Sequence, residues 1–241
     1  HSTEQPETFI ILMSFTESTK AHSAPSFRAL VHNEIINLSS PAVPTLRDAL
    51  ATLGVGGLRE LLQRRQQEGA AALALEDAAL LAPITNPDKI LCVGLNYHLH
   101  AQEAKLPIPA NPSVFVRFPS SFAAPGQAVR RPQESEQLDY EAELAVVIGR
   151  PARRVSEAAA LDYVAGYACM AENSVRDWQK HATQATAGKN FVHSGAFGPW
   201  LVTTDEAPLL AEMTVSGRLN GQTVQQASIA NLIFTGPQVI A

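Results

Sequence analysis

Apolar and polar positions divide this chain into short strands with a few helices between them. Arg28-Ala29-Leu30-Val31-His32 and Glu34-Ile35-Ile36-Asn37-Leu38 are two brief runs separated by Asn33, a pattern that predicts a hairpin. Pro44 to Leu50 opens a helix, and Leu58 to Arg65 predicts a second, with leucines at helical spacing. Strand-like runs follow at 89–94, 113–117, 142–148, 163–170, 198–203 and 213–219. The punctuated stretch from Leu80 to Asp88, with Pro83 and Pro87, marks a boundary. The pattern predicts an α+β chain, mostly β, with a small N-terminal α+β domain at 1–85 and a larger core at 86–241. No internal repeat or low-complexity segment interrupts it.

Composition narrows the function classes. The 241 residues are 46% hydrophobic, enough for a sizeable core, and the net charge of -5 gives no basic footprint for nucleic acid or an anionic membrane. A small molecule is the expected partner. Cys92 and Cys169 are the only cysteines and match no zinc spacing, so both read as small buried residues in a reducing, cytoplasmic compartment. Apolar stretches fall short of a membrane span, and Phe9 to Met13 lacks the basic flank of a signal peptide. A start at His1 rather than methionine suggests a processed or engineered terminus, with residues 1 to about 8 disordered or foreign to the fold.

The most informative chemistry lies in Leu138-Asp139-Tyr140-Glu141-Ala142-Glu143-Leu144-Ala145-Val146-Val147-Ile148-Gly149. Residues i and i+2 of a strand share a face, so Glu141 and Glu143 stand side by side. Taken alone, they read better as a solvated face, with Asp139, Glu141 and Glu143 all in water. The unbroken apolar run from Leu144 to Ile148 reads as a strand covered on both sides, which carries the pair toward an enclosed site. There, two carboxylates stay ionised only with a positive charge between them, and a divalent cation is the simplest candidate.

Three further clusters are weaker singly. In Gly94-Leu95-Asn96-Tyr97-His98-Leu99-His100-Ala101-Gln102-Glu103, His100 and Glu103 share a helical face, which suits a carboxylate-oriented base but on local grounds reads more readily as an incidental surface pair. Glu172, Arg176 and Gln179 recur at helical spacing where an apolar strand turns polar. Ala187-Gly188-Lys189-Asn190-Phe191 places a lysine in a glycine-flanked loop.

In order and spacing these pieces resemble the fumarylacetoacetate hydrolase family, from about Lys89 to the end of the chain. The resemblance rests on G-L-N-Y-x-x-H-x-x-E at 94–103, P-S-V-F-V-R-F-P-S-S at 112–121 and D-Y-E-A-E-L-A-V-V-I-G at 139–149. It continues through S-V-R-D-W-Q at 174–179, G-K-N-F at 188–191 and F-G-P-W-L-V-T-x-D-E at 197–206.

That resemblance implies a mixed β-roll or sandwich core, a homodimer, and a divalent metal, Mg2+ or Mn2+, with Ca2+ a substitute in a crystal. It implies Glu141, Glu143 and Glu172 as metal ligands, the last where the family usually carries aspartate. His100 and Glu103 fall on its water-activating pair, Lys189 on the lysine that meets developing negative charge, and Arg176 and Gln179 near substrate oxygens. Together these imply hydrolysis of a carbon–carbon bond in an acylpyruvate or related 1,3-dicarbonyl acid. Lys189→Ala and His100→Ala are expected to abolish turnover while sparing fold and metal affinity. Oxaloacetate-type decarboxylation, isomerisation and hydration are alternatives on the same scaffold. A metal-binding but inactive fragment is a third reading, because relatives continue several dozen residues beyond the position of Ala241 and the closing strands are expected to be missing here.

Overall fold

The computed structural model describes residues 10–17 and 25–241; the irregular start expected before about residue 8 lies outside them. The chain opens with β1 (Ile11–Glu17), β2 (Ser26–Val31) and β3 (Glu34–Asn37), the last two forming the expected hairpin with Val31 opposite Glu34. Helix α1 (Leu46–Gln67) begins at Thr45, whose side chain accepts the Asp48 N–H at 3.2 Å. Gly54, with φ of 65°, breaks α1 into two runs in series, which match the two predicted helices. Leu46, Leu50, Leu58 and Leu62 turn its apolar side to the sheet.

After β4 (Ala72–Ala74) and β5 (Ala78–Leu81) come β6 (Leu91–Gly94), α2 (His98–Glu103), β7 (Ser113–Val116) and β8 (Phe122–Ala123). Next are β9 (Leu138–Asp139), β10 (Ala142–Ile148), β11 (Val164–Ala171), β12 (Ser174–Val175), and the single-turn helices α3 (Arg176–Gln179) and α4 (Thr186–Lys189). The chain closes with β13 (Gly195–Phe197), β14 (Leu201–Thr203), β15 (Thr214–Leu219), β16 (Gln222–Ser228) and α5 (Gly236–Ile240).

One sheet in the order β4-β3-β2-β1-β14-β11-β13-β8 dominates, with β5 added beside β1 and β10 beside β11. It crosses the boundary read from sequence, because Leu12 of β1 pairs with Leu201 of β14. Its core is shared in the same way: Leu12, Phe27 and Leu58 pack in one cluster with Phe122, Ala165 and Leu201. Ser14 donates to the Pro83 carbonyl at 2.7 Å and Arg59 reaches Glu206 at 2.8 Å, tying early and late segments further.

Two expectations change. Strand β10 has the predicted bounds but is not covered on both sides: Val146 and Ile148 are exposed on its outer face, and among the described residues it pairs with β11 alone. Cys169, on that same outer face, is exposed rather than buried, and Cys92 is half-buried. Among the described residues no helix is long and apolar enough to cross a membrane.

Because β1 joins the halves, Leu12→Ala should lower stability by about 2–5 kcal/mol and do so in one transition. Both tryptophans, Trp178 and Trp200, lie in the later segment. Their fluorescence in a urea titration should therefore report the loss at the same midpoint as far-UV circular dichroism; an unshifted tryptophan midpoint would show that the halves unfold separately.

Candidate active site

The antiparallel register of β10 and β11 builds the site. Ala142 pairs with Ala171, and the ladder continues one step further as the Glu172 N–H donates to the Glu141 carbonyl at 2.9 Å. Residues opposite one another on antiparallel strands project to the same face. Glu141 and Glu172 are therefore neighbours, with Glu143 two residues along on the same side. This face continues the core-facing side of the pair, where Ala145, Val147 and Met170 pack on the apolar cluster.

Lysine 189 stands between two of these acids. Its ammonium donates to Glu141 Oε1 and Oε2 at 3.1 and 3.0 Å, to the Glu172 carbonyl at 3.1 Å, and to Glu172 Oε2. The side chain is 2% exposed and lies 5.0 Å from the Phe115 ring centre. Helix α4 comes this close because residue 188 is glycine: a Cβ there would sit 2.6 Å from the Val175 carbonyl oxygen. Sequence placed Lys189 in a loop with folding independent of it; the structure instead makes it the buried centre of an ion-pair network.

Arg117 supports the other side of Glu172. Fully buried, it donates to Glu172 Oε1 at 2.8 Å, the Asn173 carbonyl at 3.0 Å, Ser121 Oγ at 3.1 Å and Ser194 Oγ at 3.2 Å. Arg117 lies in the motif at 112–121 with no role assigned to it from sequence, although a lone arginine in Val114-Phe115-Val116-Arg117-Phe118 is a signal. Asn173 was also missed; its amide accepts the Glu141 N–H at 3.1 Å and donates to the Ser194 carbonyl at 3.0 Å.

Arg176 and Gln179 do come together, the guanidinium donating to Gln179 Oε1 at 3.0 Å. Arg176 also pairs with Asp139 at 2.7 Å and Glu141 at 2.9 Å, while Ser174 donates to Glu141 at 2.5 Å. At 28% exposed, Arg176 sits at the rim of the network.

Among the described residues, four carboxylates, on Asp139, Glu141, Glu143 and Glu172, thus face three cations, and Glu143 is the acid without a hydrogen-bond or ion-pair partner. Burial first, then the charges of Glu141 and Glu172, push its carboxyl up to about 8. Burial also pushes Glu172 up, against the pull of Lys189 and Arg117. Around them burial raises the Tyr97 hydroxyl, with Glu143 adding to it, and lifts the Cys92 thiol to about 12, which makes it an inert wall rather than a nucleophile. Excess buried carboxylate oxygen fits a hard divalent cation. As the side chains stand, no three His, Cys, Asp or Glu groups among the described residues form a closed ligand set, since Lys189 already draws on Glu141 and Glu172.

The expected His100–Glu103 pair is not formed. Both side chains are exposed on α2, with no hydrogen bond or ion pair between them. Nothing packs over that face of the short helix, and a solvated pair gains little from closing.

The family model described as fumarylacetoacetate (FAA) hydrolase C-terminal matches residues 89–241. The chain belongs to the fumarylacetoacetate hydrolase family. Its members are enzymes on a scaffold used by hydrolases, isomerases and tautomerases, and divalent metals are common among them. A mitochondrial oxaloacetate tautomerase, fahd2 of Xenopus laevis, is 35% identical over 86% of this chain, which spans 65% of that relative's length. The fumarylacetoacetate hydrolase from psychrophilic Exiguobacterium antarcticum superposes with a TM-score of 0.77 at 25% identity, covering 96% of this chain and 79% of the other. Maleylpyruvate hydrolase from Sphingobium sp. SYK-6, solved with manganese(II) and pyruvate, shares the fold at a TM-score of 0.77 and 22% identity, covering 96% of this chain and 81% of its own.

Two stability measurements check the charge balance of this family member's site. Lys189→Met removes the ammonium that Glu141 and Glu172 share, leaving Glu172 to Arg117 and Glu141 to Arg176, and should cost about 3–5 kcal/mol without metal; an unchanged urea midpoint would remove Lys189 from that role. Glu143→Gln should act oppositely. A carboxyl raised in the folded state loses stability as pH climbs from the ordinary carboxylate range to about 8. The neutral variant should therefore melt above wild type at pH 8 and close to it at pH 5, in chelator, and equal curves at both would contradict the assignment.

Proposed function

We propose that this chain interconverts keto and enol forms of a small 2-oxo acid carrying a second carbonyl or carboxyl group, with oxaloacetate-like acids as the substrate class. The observation carrying this reading is the buried cluster with one carboxylate in excess, Glu143, beside the cations Lys189 and Arg176. Such a site can hold a divalent cation together with an anionic substrate. Mg2+ or Mn2+ held by Glu143 with Glu141 and Glu172 would supply Lewis acidity toward neighbouring substrate oxygens.

The side chains have separate work. Lys189 would offset the charge that gathers on the carbonyl oxygen while the proton passes from the adjacent carbon to that oxygen by way of solvent water. Arg176, at the rim, would exchange its contact with Asp139 for a substrate carboxylate, with Gln179 fixing the direction of the guanidinium. No carbon–carbon bond is cut, so no activated water is needed, in keeping with the exposed and unpaired His100 and Glu103. The tautomerase name of the Xenopus relative supports the same reading.

Hydrolysis of an acylpyruvate is the second reading. It is favoured by His100 and Glu103 lying on α2, whose preceding residue Tyr97 is within electrostatic reach of Glu143. It requires that pair to close. Under either reading the partner is a small keto acid, with no nucleic acid or membrane involved, and the working unit is a homodimer in the cytoplasm, whereas the Xenopus relative is mitochondrial.

Metal-supplemented protein given enolic oxaloacetate and a panel of acylpyruvates separates the readings. Tautomerisation should speed the loss of enol absorbance without any new acid, and His100→Ala should leave that rate within about threefold, far less than the hundredfold a general base contributes. Pyruvate and a second acid, with a loss of about a hundredfold or more in His100→Ala, would favour hydrolysis. Metal binding with neither outcome would contradict both.

A further inference from the structure

We propose that Gln225 is a positioning residue that sets the geometry of the Glu141–Glu143 pair; the assignment rests on those two acids being the metal-holding pair of the proposed function. Ala142 lies between them, and because the Glu141 carbonyl is bonded toward β11, the polar backbone of Ala142 points to the opposite edge, where none of the described strands pairs with β10. Gln225 fills that place. Its Oε1 accepts the Ala142 N–H at 2.8 Å and its Nε2 donates to the Ala142 carbonyl at 2.7 Å. The N–H belongs to the peptide joining 141 to 142 and the carbonyl to the peptide joining 142 to 143. One side-chain amide therefore fixes both planes that set how the two carboxylates are splayed.

The β15–β16 hairpin is shaped for this contact. Its ladder slips beside Gly217, so that Gly217 pairs with Gln225 and Arg218 with Thr223, leaving Val224 as an extra residue. Such a bulge re-aims the neighbouring side chain. The Val224 carbonyl accepts from the Tyr140 hydroxyl at 3.5 Å, one residue before the acidic pair. Gly217 itself leaves only enough space for the approach, since a Cβ there would lie 3.1 Å from Ala142 Cβ.

The test compares Gln225→Ala and the similarly shaped Gln225→Met with Gln226→Ala, a control at the exposed neighbour. Each is titrated with Mn2+ by calorimetry, the bound ion is examined by electron paramagnetic resonance, and metal-free melting is followed by circular dichroism. Both Gln225 variants should bind Mn2+ about 10–100-fold more weakly, the range for lost support of a metal ligand. They should also show an altered Mn2+ spectrum and melt within a few degrees of wild type, while Gln226→Ala matches wild type throughout. Wild-type affinity and spectrum in both Gln225 variants would overturn the assignment alone. Unfolding of both with a folded control would reduce Gln225 to a structural role and overturn it as well. Wild-type protein that takes up no Mn2+ would overturn the metal reading beneath it, and the assignment with it.

Discussion

Acidic side chains gathered away from water need a counter-charge, and this requirement organises the whole later segment of the chain. The β10–β11 register sets Glu141 opposite Glu172 with Glu143 beside them, so the backbone ladder itself imposes the repulsion. Lys189 and Arg117, drawn from α4 and from the residue after β7, answer it from opposite sides. Each arrives through a tight local device: a glycine at 188 for the lysine, and a cage of Ser121, Ser194 and the Asn173 carbonyl for the arginine. The balance stops one charge short at Glu143. A cluster complete in itself would be a structural ion-pair core; one left a cation short is a place where a ligand gains binding energy.

Position in the sheet explains why such a cluster is tolerated. The acids lie at the end of the face that β10 and β11 turn to the core, beyond Ala145, Val147 and Met170. Burial of these apolar neighbours offsets the cost of holding charge nearby. The first segment contributes at a distance: β1 pairs with β14, and β14 with β11, so the strand carrying Glu172 is braced by residues more than a hundred positions away.

Much of this was legible in the sequence, for physical reasons that differ by element. The bounds of β10 follow from its apolar run, and the hairpin at β2–β3 and the break in α1 follow from local turn and spacing signals. Strand β1 was not recognised, because Phe9 to Met13 is a short apolar run whose partners β2, β5 and β14 are set by distant chain. Glu141 and Glu143 were legible as a pair from their period of two, whereas Glu172 joined them only through the family resemblance. Arg117 was not, since its meaning comes from contacts with Glu172, Asn173 and Ser194, 55 to 77 residues away. The His100–Glu103 spacing was read as a pair, yet spacing only permits contact; packing enforces it, and α2 has none on that face.

Anomalous diffraction from crystals soaked in Mn2+ would locate a cation in the acidic cluster. A manganese peak is expected within coordination distance of Glu143, with the Lys189 ammonium withdrawn from at least one of Glu141 and Glu172. A cluster that stays as it is, with Lys189 still bridging both acids and no peak at Glu143 in saturating Mn2+, would contradict it.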